Sequence, residues 1–188
     1  MAKNILPVDV VLVNDKDEPV GTMEKMEAHR RGLLHRAFSV FIFNDKGEML
    51  LQQRAAAKYH SGGLWTNTCC SHPLPGEPAE NAVMRRLKEE LGFSVPVVKA
   101  FEFVYKAEFE NGLTENEFDH VFTGVYNGPV TPDPNEVQDY VWLSPEAIEQ
   151  ELEQSAGKYT AWFIIAFPIL LKHLKDHNLT TCFKTDNP

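Results

Sequence analysis

An α+β fold, with a mixed or antiparallel sheet packed by helices, is what this 188-residue sequence predicts. Strand-like segments outnumber helical ones, and the helical stretches come singly or late in the chain. No internal repeat, low-complexity segment or linker interrupts it, so residues 1–188 form one domain, with residues 1–7 and 178–188 expected as flexible ends.

The elements follow in order. Val8 to Val13 is a strand candidate, closed by the turn residues Asn14-Asp15-Lys16-Asp17. The segment Thr22 to Ala28 carries Lys25 and leads to His29, with His35 soon after. Phe38 to Phe43 and Met49 to Arg54 flank Asn44-Asp45-Lys46-Gly47, a hairpin signal. Arg54 and Lys58 precede Trp65-Thr66-Asn67-Thr68-Cys69-Cys70-Ser71-His72-Pro73. Gly62, Gly63, Pro75 and Gly76 surround that stretch and place its thiols on irregular backbone. From Pro78 the period changes: Ala82, Val83, Leu87 and Leu91 make an apolar helical stripe that stops at Gly92. The other face carries Arg85, Arg86, Lys88, Glu89 and Glu90, where Arg86 and Glu90 sit one turn apart, as on many solvated faces. Val97 to Phe109, Asp119 to Tyr126 and Val137 to Leu143 are rich in β-branched and aromatic residues. Asn111-Gly112 is a turn, and if Glu115-Asn116-Glu117 is extended both carboxylates point to one face. Two such charges need a cation between them or a shared proton. Pro145 to Gln154 reads as an acidic helix, and Tyr159 to His177 as a long apolar one interrupted at Pro168.

Composition narrows the function. A net charge of −9 repels nucleic acid and anionic membranes, so an anionic substrate needs a local basic cluster. Three cysteines, two of them adjacent, do not make a disulfide framework and suit a reducing compartment. The N-terminus has no apolar signal core, and the run Ala161 to Leu171 is too short to span a bilayer. A soluble, cytoplasmic protein is expected, with no nucleic-acid partner and no membrane insertion, as a monomer or weak dimer.

His29, His35, His72, Glu115 and Glu117 are the candidate ligands of a divalent metal, because mixed nitrogen and oxygen donors suit Zn²⁺, Mn²⁺ or Mg²⁺. Their spacing alone is a weak signal. His60, His120, His173 and His177 read as surface or hydrogen-bonded residues.

Together, His29, His35, Arg36-Ala37-Phe38-Ser39, the stretch Trp65 to Pro73, Arg85 to Gly92, Tyr105 and Glu115-Asn116-Glu117 carry a resemblance. Over roughly Val8 to Leu171 the chain resembles the type 1 isopentenyl-diphosphate isomerases, which have a Nudix-like fold. Set against a Nudix box, Ser71 stands for the first glycine. Glu77, Arg85, Glu89, Glu90 and Gly92 keep their places, and Arg86 replaces the first paired glutamate. Hydrolysis in that fold needs several carboxylates on metals, and a cation in place of one weakens it. An arginine there can instead hold a phosphate in a bidentate fork.

The resemblance implies interconversion of isopentenyl and dimethylallyl diphosphate, feeding isoprenoid synthesis, by protonation to a tertiary carbocation and loss of a neighbouring proton. Residue by residue, Cys70 and Glu117 are the implied proton-transfer groups, with Glu117 both acid and metal ligand, and Tyr105 assists. The His/Glu set implies one resident divalent ion. Glu90 matches the residue that reaches a Mg²⁺ on the diphosphate. Lys25, Arg54, Lys58 and Arg86 match the diphosphate-binding positions, and Trp162 the aromatic face over the cation. Glu89 is left structural, and Cys69 and Cys182 are assigned to packing. A hydrolase of another diphosphate and a silent metal-binding domain are the alternatives.

Overall fold

The computed structural model describes residues 8–179; Cys182 and nearly all of both expected flexible ends lie outside them. Nine strands among the described residues form one mixed sheet. Strand β1 (Asp9–Val13) pairs antiparallel with β2 (Pro19–Glu24), and helix α1 (Lys25–Arg31) follows directly. The Glu24 side chain caps α1 by accepting from Met26 and Glu27 N–H, and Gly32 ends it in the left-handed region at φ 58°. Strand β3 (His35–Phe43) lies at the centre and touches β1, β4 (Met49–Arg54), β6 (Cys69–Ser71) and β8 (Thr114–Val125). The short β5 (Trp65–Thr66) pairs with β4, as does β9 (Val137–Leu143), while β7 (Val97–Glu108) flanks β8.

The period of two decides which face each side chain serves. Phe41 and Phe43 pack with Met49, Leu51 and Val121 against Phe163, Phe167 and Leu170 of α4 (Ala161–Asp176). Phe38, Val40 and Ile42 pack with Leu50 and Phe122 against Val83, Leu87 and Leu91 of α2 (Ala79–Leu91). The sheet is thus buried between α2 and α4, which is why β3 is apolar on both faces from Val40 to Phe43. Helix α3 (Pro145–Ser155), capped by Ser144, leads through a single 3₁₀ turn at Ala156–Lys158 into α4.

Two expectations change here. The thiols are not on irregular backbone: Cys69 and Cys70 belong to β6, three residues long, which β3 pairs through Ser39↔Cys70. The flanking glycines and prolines shorten that strand without abolishing it. Pro168 does not interrupt the last helix, which runs unbroken from Ala161 to Asp176. Pro168 is exposed, so its ring and missing N–H face water while Phe167 and Leu170 bury the other side.

Candidate active site

The site lies on the α4 face of the sheet, and strand register assembles it. In the parallel β3–β8 pair His35 is opposite Glu117, and in the antiparallel β7–β8 pair Tyr105 is opposite Glu117. Glu115 is two residues back on β8 and so on the same face. Helix α1 adds His29 from above, and His72 follows β6. One ligand atom from each of His29, His35, His72, Glu115 and Glu117 lies within 4.8 Å of all the others, and all five residues are buried.

These donors fit a metal ion. His29 Nδ1–H donates to the Lys25 carbonyl at 2.6 Å, and His35 Nδ1–H to the Leu33 carbonyl at 2.8 Å. A carbonyl can only accept, so both rings carry the proton on Nδ1 and turn the Nε2 lone pair inward. His29 Nε2 and Glu115 Oε2 are 3.0 Å apart, shielded from solvent, and neither makes a hydrogen bond of good geometry. His72 Nε2 lies 2.8 Å from Glu117 Oε1 and 3.2 Å from His35 Nε2. Burial, and then Lys25, pull the His72 imidazole down to about 4, which keeps it neutral and able to bind metal. Burial disfavours the Glu115 charge, but the His29 and His60 rings packed against it outweigh that and hold the carboxyl well below its usual range.

Beside this cluster stands Cys70. The alternation of β6 sends Cys69 into the α2 core and Cys70 to the site. Cys70 Sγ–H donates to Asn67 Oδ1 at 2.8 Å, and the Trp162 indole N–H donates to Sγ at 3.0 Å. Asn67 cannot turn its amide around, because its Nδ2 donates to the Val40 and Cys69 carbonyls. Burial, and then the charge of Asp119, push the Cys70 thiol up to about 12, against the pull of Arg54. The Tyr105 hydroxyl donates to Glu117 Oε2 at 2.5 Å. Burial, and then Glu117, push that phenol well above its ordinary value.

Lys25, Arg54, Lys58 and Arg86 line the mouth of the same cavity. Lys25 is 4.8 Å from the Tyr59 ring centroid, and the Arg54 guanidinium 5.1 Å from that of Trp162. Buried Nε–H groups of Arg54 and Arg86 have no protein acceptor. Arg86 donates to Glu89 at 2.5 Å and to Glu90 at 2.6 Å, and Glu90 is buried rather than part of a solvated face.

Sequence reasoning missed four residues. Glu136 accepts from Lys58 and lies 3.4 Å from Arg86. Asp119, buried, accepts from Ser39 Oγ at 2.7 Å and faces the thiol electrostatically. Asn67 was visible only as part of the Trp65 to Pro73 stretch. His60 is the largest departure: it is buried, with Nε2 2.7 Å from Glu115 Oε1. The only sequence signal for Asp119 was its place two residues beyond Glu117 on an extended segment. His120 is also buried, 3.0 Å from Asp17, whereas His173 and His177 stack on each other along α4.

Residues 33–163 match the NUDIX domain model. The isopentenyl-diphosphate Delta-isomerase of Pectobacterium atrosepticum is 48% identical over 159 residues, 85% of this chain and 89% of its own. That of Aliivibrio fischeri is 44% identical over 179 residues, 90% of this chain and 98% of its own. The chain belongs to the isopentenyl-diphosphate isomerases of the NUDIX family. A crystal structure of a MutT protein from Methanosarcina mazei superposes with a TM-score of 0.61 at 21% identity, over 77% of this chain and 95% of that one. A Nudix hydrolase from M. smegmatis gives 0.53 at 15% identity, over 95% and 98%. At such identities the likeness is one of fold. For an isopentenyl-diphosphate isomerase, the box helix α2 has a plain division of labour. Arg85 clamps Glu77 through two bonds of 2.8 Å, while Arg86 and Glu90 turn toward the cavity.

No helix of the described residues is long and apolar enough to cross a membrane.

Proposed function

We propose that this isomerase interconverts isopentenyl and dimethylallyl diphosphate through a tertiary carbocation, with Cys70 and Glu117 moving the protons. The supporting observation is that one cavity joins the Cys70 thiol, the Glu117 carboxylate and the side chains of Lys25, Arg54, Lys58 and Arg86. Burial and Glu115 disfavour the Glu117 charge, but His35 and His72 outweigh them and lower its proton affinity. In the resting protein Cys70 therefore holds a proton and Glu117 does not. Turnover needs one of the two to give a proton to the alkene and the other to take one from the neighbouring carbon, and the roles exchange in the opposite direction. Tyr105 keeps its own proton and holds the Glu117 carboxylate in place. The Trp162 N–H supports negative charge developing on sulfur, and its π system steadies the cation.

His29, His35, His72, Glu115 and Glu117 would hold one Zn²⁺, Mn²⁺ or Mg²⁺. Bound there, the ion fixes the carboxylates and lowers their proton affinity further. Glu90 would meet a Mg²⁺ brought by the diphosphate, and the unpartnered Nε–H groups of Arg54 and Arg86 would meet its oxygens. Arg86 also pairs with Glu89, a carboxylate that a hydrolase would need free for metals, so diphosphate cleavage is disfavoured.

Incubation with isopentenyl diphosphate and Mg²⁺ in D₂O tests this reading. Proton NMR should show deuterium in a methyl group of dimethylallyl diphosphate, with no phosphate released. Phosphate release without a deuterated methyl would establish a hydrolase. Neither signal from folded, metal-loaded protein would leave a silent binding domain.

A further inference from the structure

His60 has no part in the chemistry just described, yet it is 6% exposed and touches both halves of the site. Its Nε2 lies 2.7 Å from Glu115 Oε1, while the other oxygen of that carboxylate, Oε2, lies among the metal donors, 3.0 Å from His29 Nε2. Its Nδ1 lies 3.2 Å from Ser61 Oγ. If Ser61 donates to Nδ1, the ring carries its proton on Nε2, which lies against Glu115 but off the line of a good hydrogen bond and has no other partner. Its backbone carbonyl accepts from Arg54 Nη2 at 3.3 Å. The ring is locked flat on Phe109 at 4.8 Å and edge-on to Trp162 at 5.6 Å. The segment between β4 and β5 that carries His60 also carries Lys58 and Tyr59. One residue therefore sets its side chain against the outer oxygen of a candidate metal-ligand carboxylate and accepts from a diphosphate-cluster arginine with its backbone. Its Nε2 is not one of the donors that converge on a common centre.

We propose that His60 is a positioning residue that couples the metal to the diphosphate. When Glu115 Oε2 faces a cation, Oε1 fixes His60, and His60 fixes Arg54 and the Lys58 segment in the arrangement that receives an anion. By linkage, each ligand then tightens the other by the same factor. The proposal rests on the metal-site reading above. It differs from simple attraction between metal and anion, which needs no histidine.

The test measures affinity for inorganic pyrophosphate by calorimetry, in chelator-stripped protein and in protein loaded with one equivalent of Zn²⁺ and desalted. Competition with a chromophoric chelator gives the Zn²⁺ affinity of each variant. Wild type should bind pyrophosphate at least ~5-fold more tightly when loaded, the lower end of ordinary coupling. His60→Phe keeps a ring against Phe109 but cannot donate, and should reduce that ratio to within about twofold of one. His60→Gln keeps a donor without the ring and should retain most of the ratio. Should the Phe variant not fold, His60→Ala takes its place. A wild-type ratio in the Phe or Ala variant, or an equal loss in Gln and Phe, overturns the coupling role. A wild-type protein that binds no Zn²⁺ in the chelator assay overturns the metal-site reading itself, and the inference with it.

Discussion

Cys70 stands between an amide oxygen that can only accept and an indole N–H that can only donate, so its proton has one direction to point. Cys69, one residue away, has no exposed surface and packs against α2. Cys70→Ala should lower turnover by ~10²–10⁴ or more, the usual contribution of a proton-transfer group, while Cys69→Ala keeps most activity and costs about 1 kcal/mol in stability. Equal losses of kcat in the two variants would remove Cys70 from the mechanism. The thiol also predicts its own pH profile. Because its folded pKa is raised, to about 12, it stays neutral through the range where free thiols ionise. Alkylation by iodoacetamide at pH 8.5 should be far slower than for the urea-unfolded chain, and should climb only as the pH approaches that value. The same shift stabilises the fold below the unfolded value near 9, and this contribution is lost as pH rises toward 12. The thiol's candidacy was legible as a dense stretch of unusual residues. Its partners were not: Asp119, His60 and Asn67 acquire meaning only through strand register and loop packing, which no local pattern encodes.

At the scale of elements, the legible part is what periodicity can express. The apolar stripe of α2, its stop at Gly92 and the span of β9 are all readable. Gly92 adopts φ 80°, and a Cβ there would lie 2.7 Å from the Thr131 carbonyl, so a single residue both ends the helix and admits the next loop. The start of β8 at Thr114 was hidden behind polar residues, because the strand's first half serves the site instead of the core. Helix α2 also carries a prediction. Arg86 is mostly enclosed but lies at the cavity mouth, so Arg86→Ala should weaken pyrophosphate binding by ~1.5–3 kcal/mol, the value of a charge-assisted bond. A collapse in melting temperature with unchanged affinity would make it a structural partner of Glu90 alone. In α4, Pro168→Ala restores a backbone donor on an exposed face. It should raise stability by about 1–2 kcal/mol, the interior proline penalty less the entropy that proline removes from the unfolded chain. A drop in melting temperature would instead mean that the proline sets the placement of Trp162.

For the whole molecule, the net charge of −9 and the rim of Lys25, Arg54, Lys58 and Arg86 are reconciled by geometry. Lys58 and Arg86 are partnered by Glu136, so the entrance holds its cations in place without an open positive patch. The parallel pairing of β3 with β8 has a further consequence, for the order of folding. His35 and Glu117 become neighbours only after the intervening chain, with β4, β5, β6, α2 and β7, has been gathered between them. Such a long closure belongs late on the route to the native state. The five candidate ligands therefore cannot act as a template for collapse; they are completed by it. A divalent ion at 100 times its dissociation constant should stabilise the native protein by ~2.7 kcal/mol through mass action. The same ion should slow unfolding and leave the refolding rate from denaturant unchanged, because the ligands are not yet together when the barrier is crossed. A refolding rate that climbs with metal concentration would show instead that β8 docks on β3 before the rest of the sheet is built.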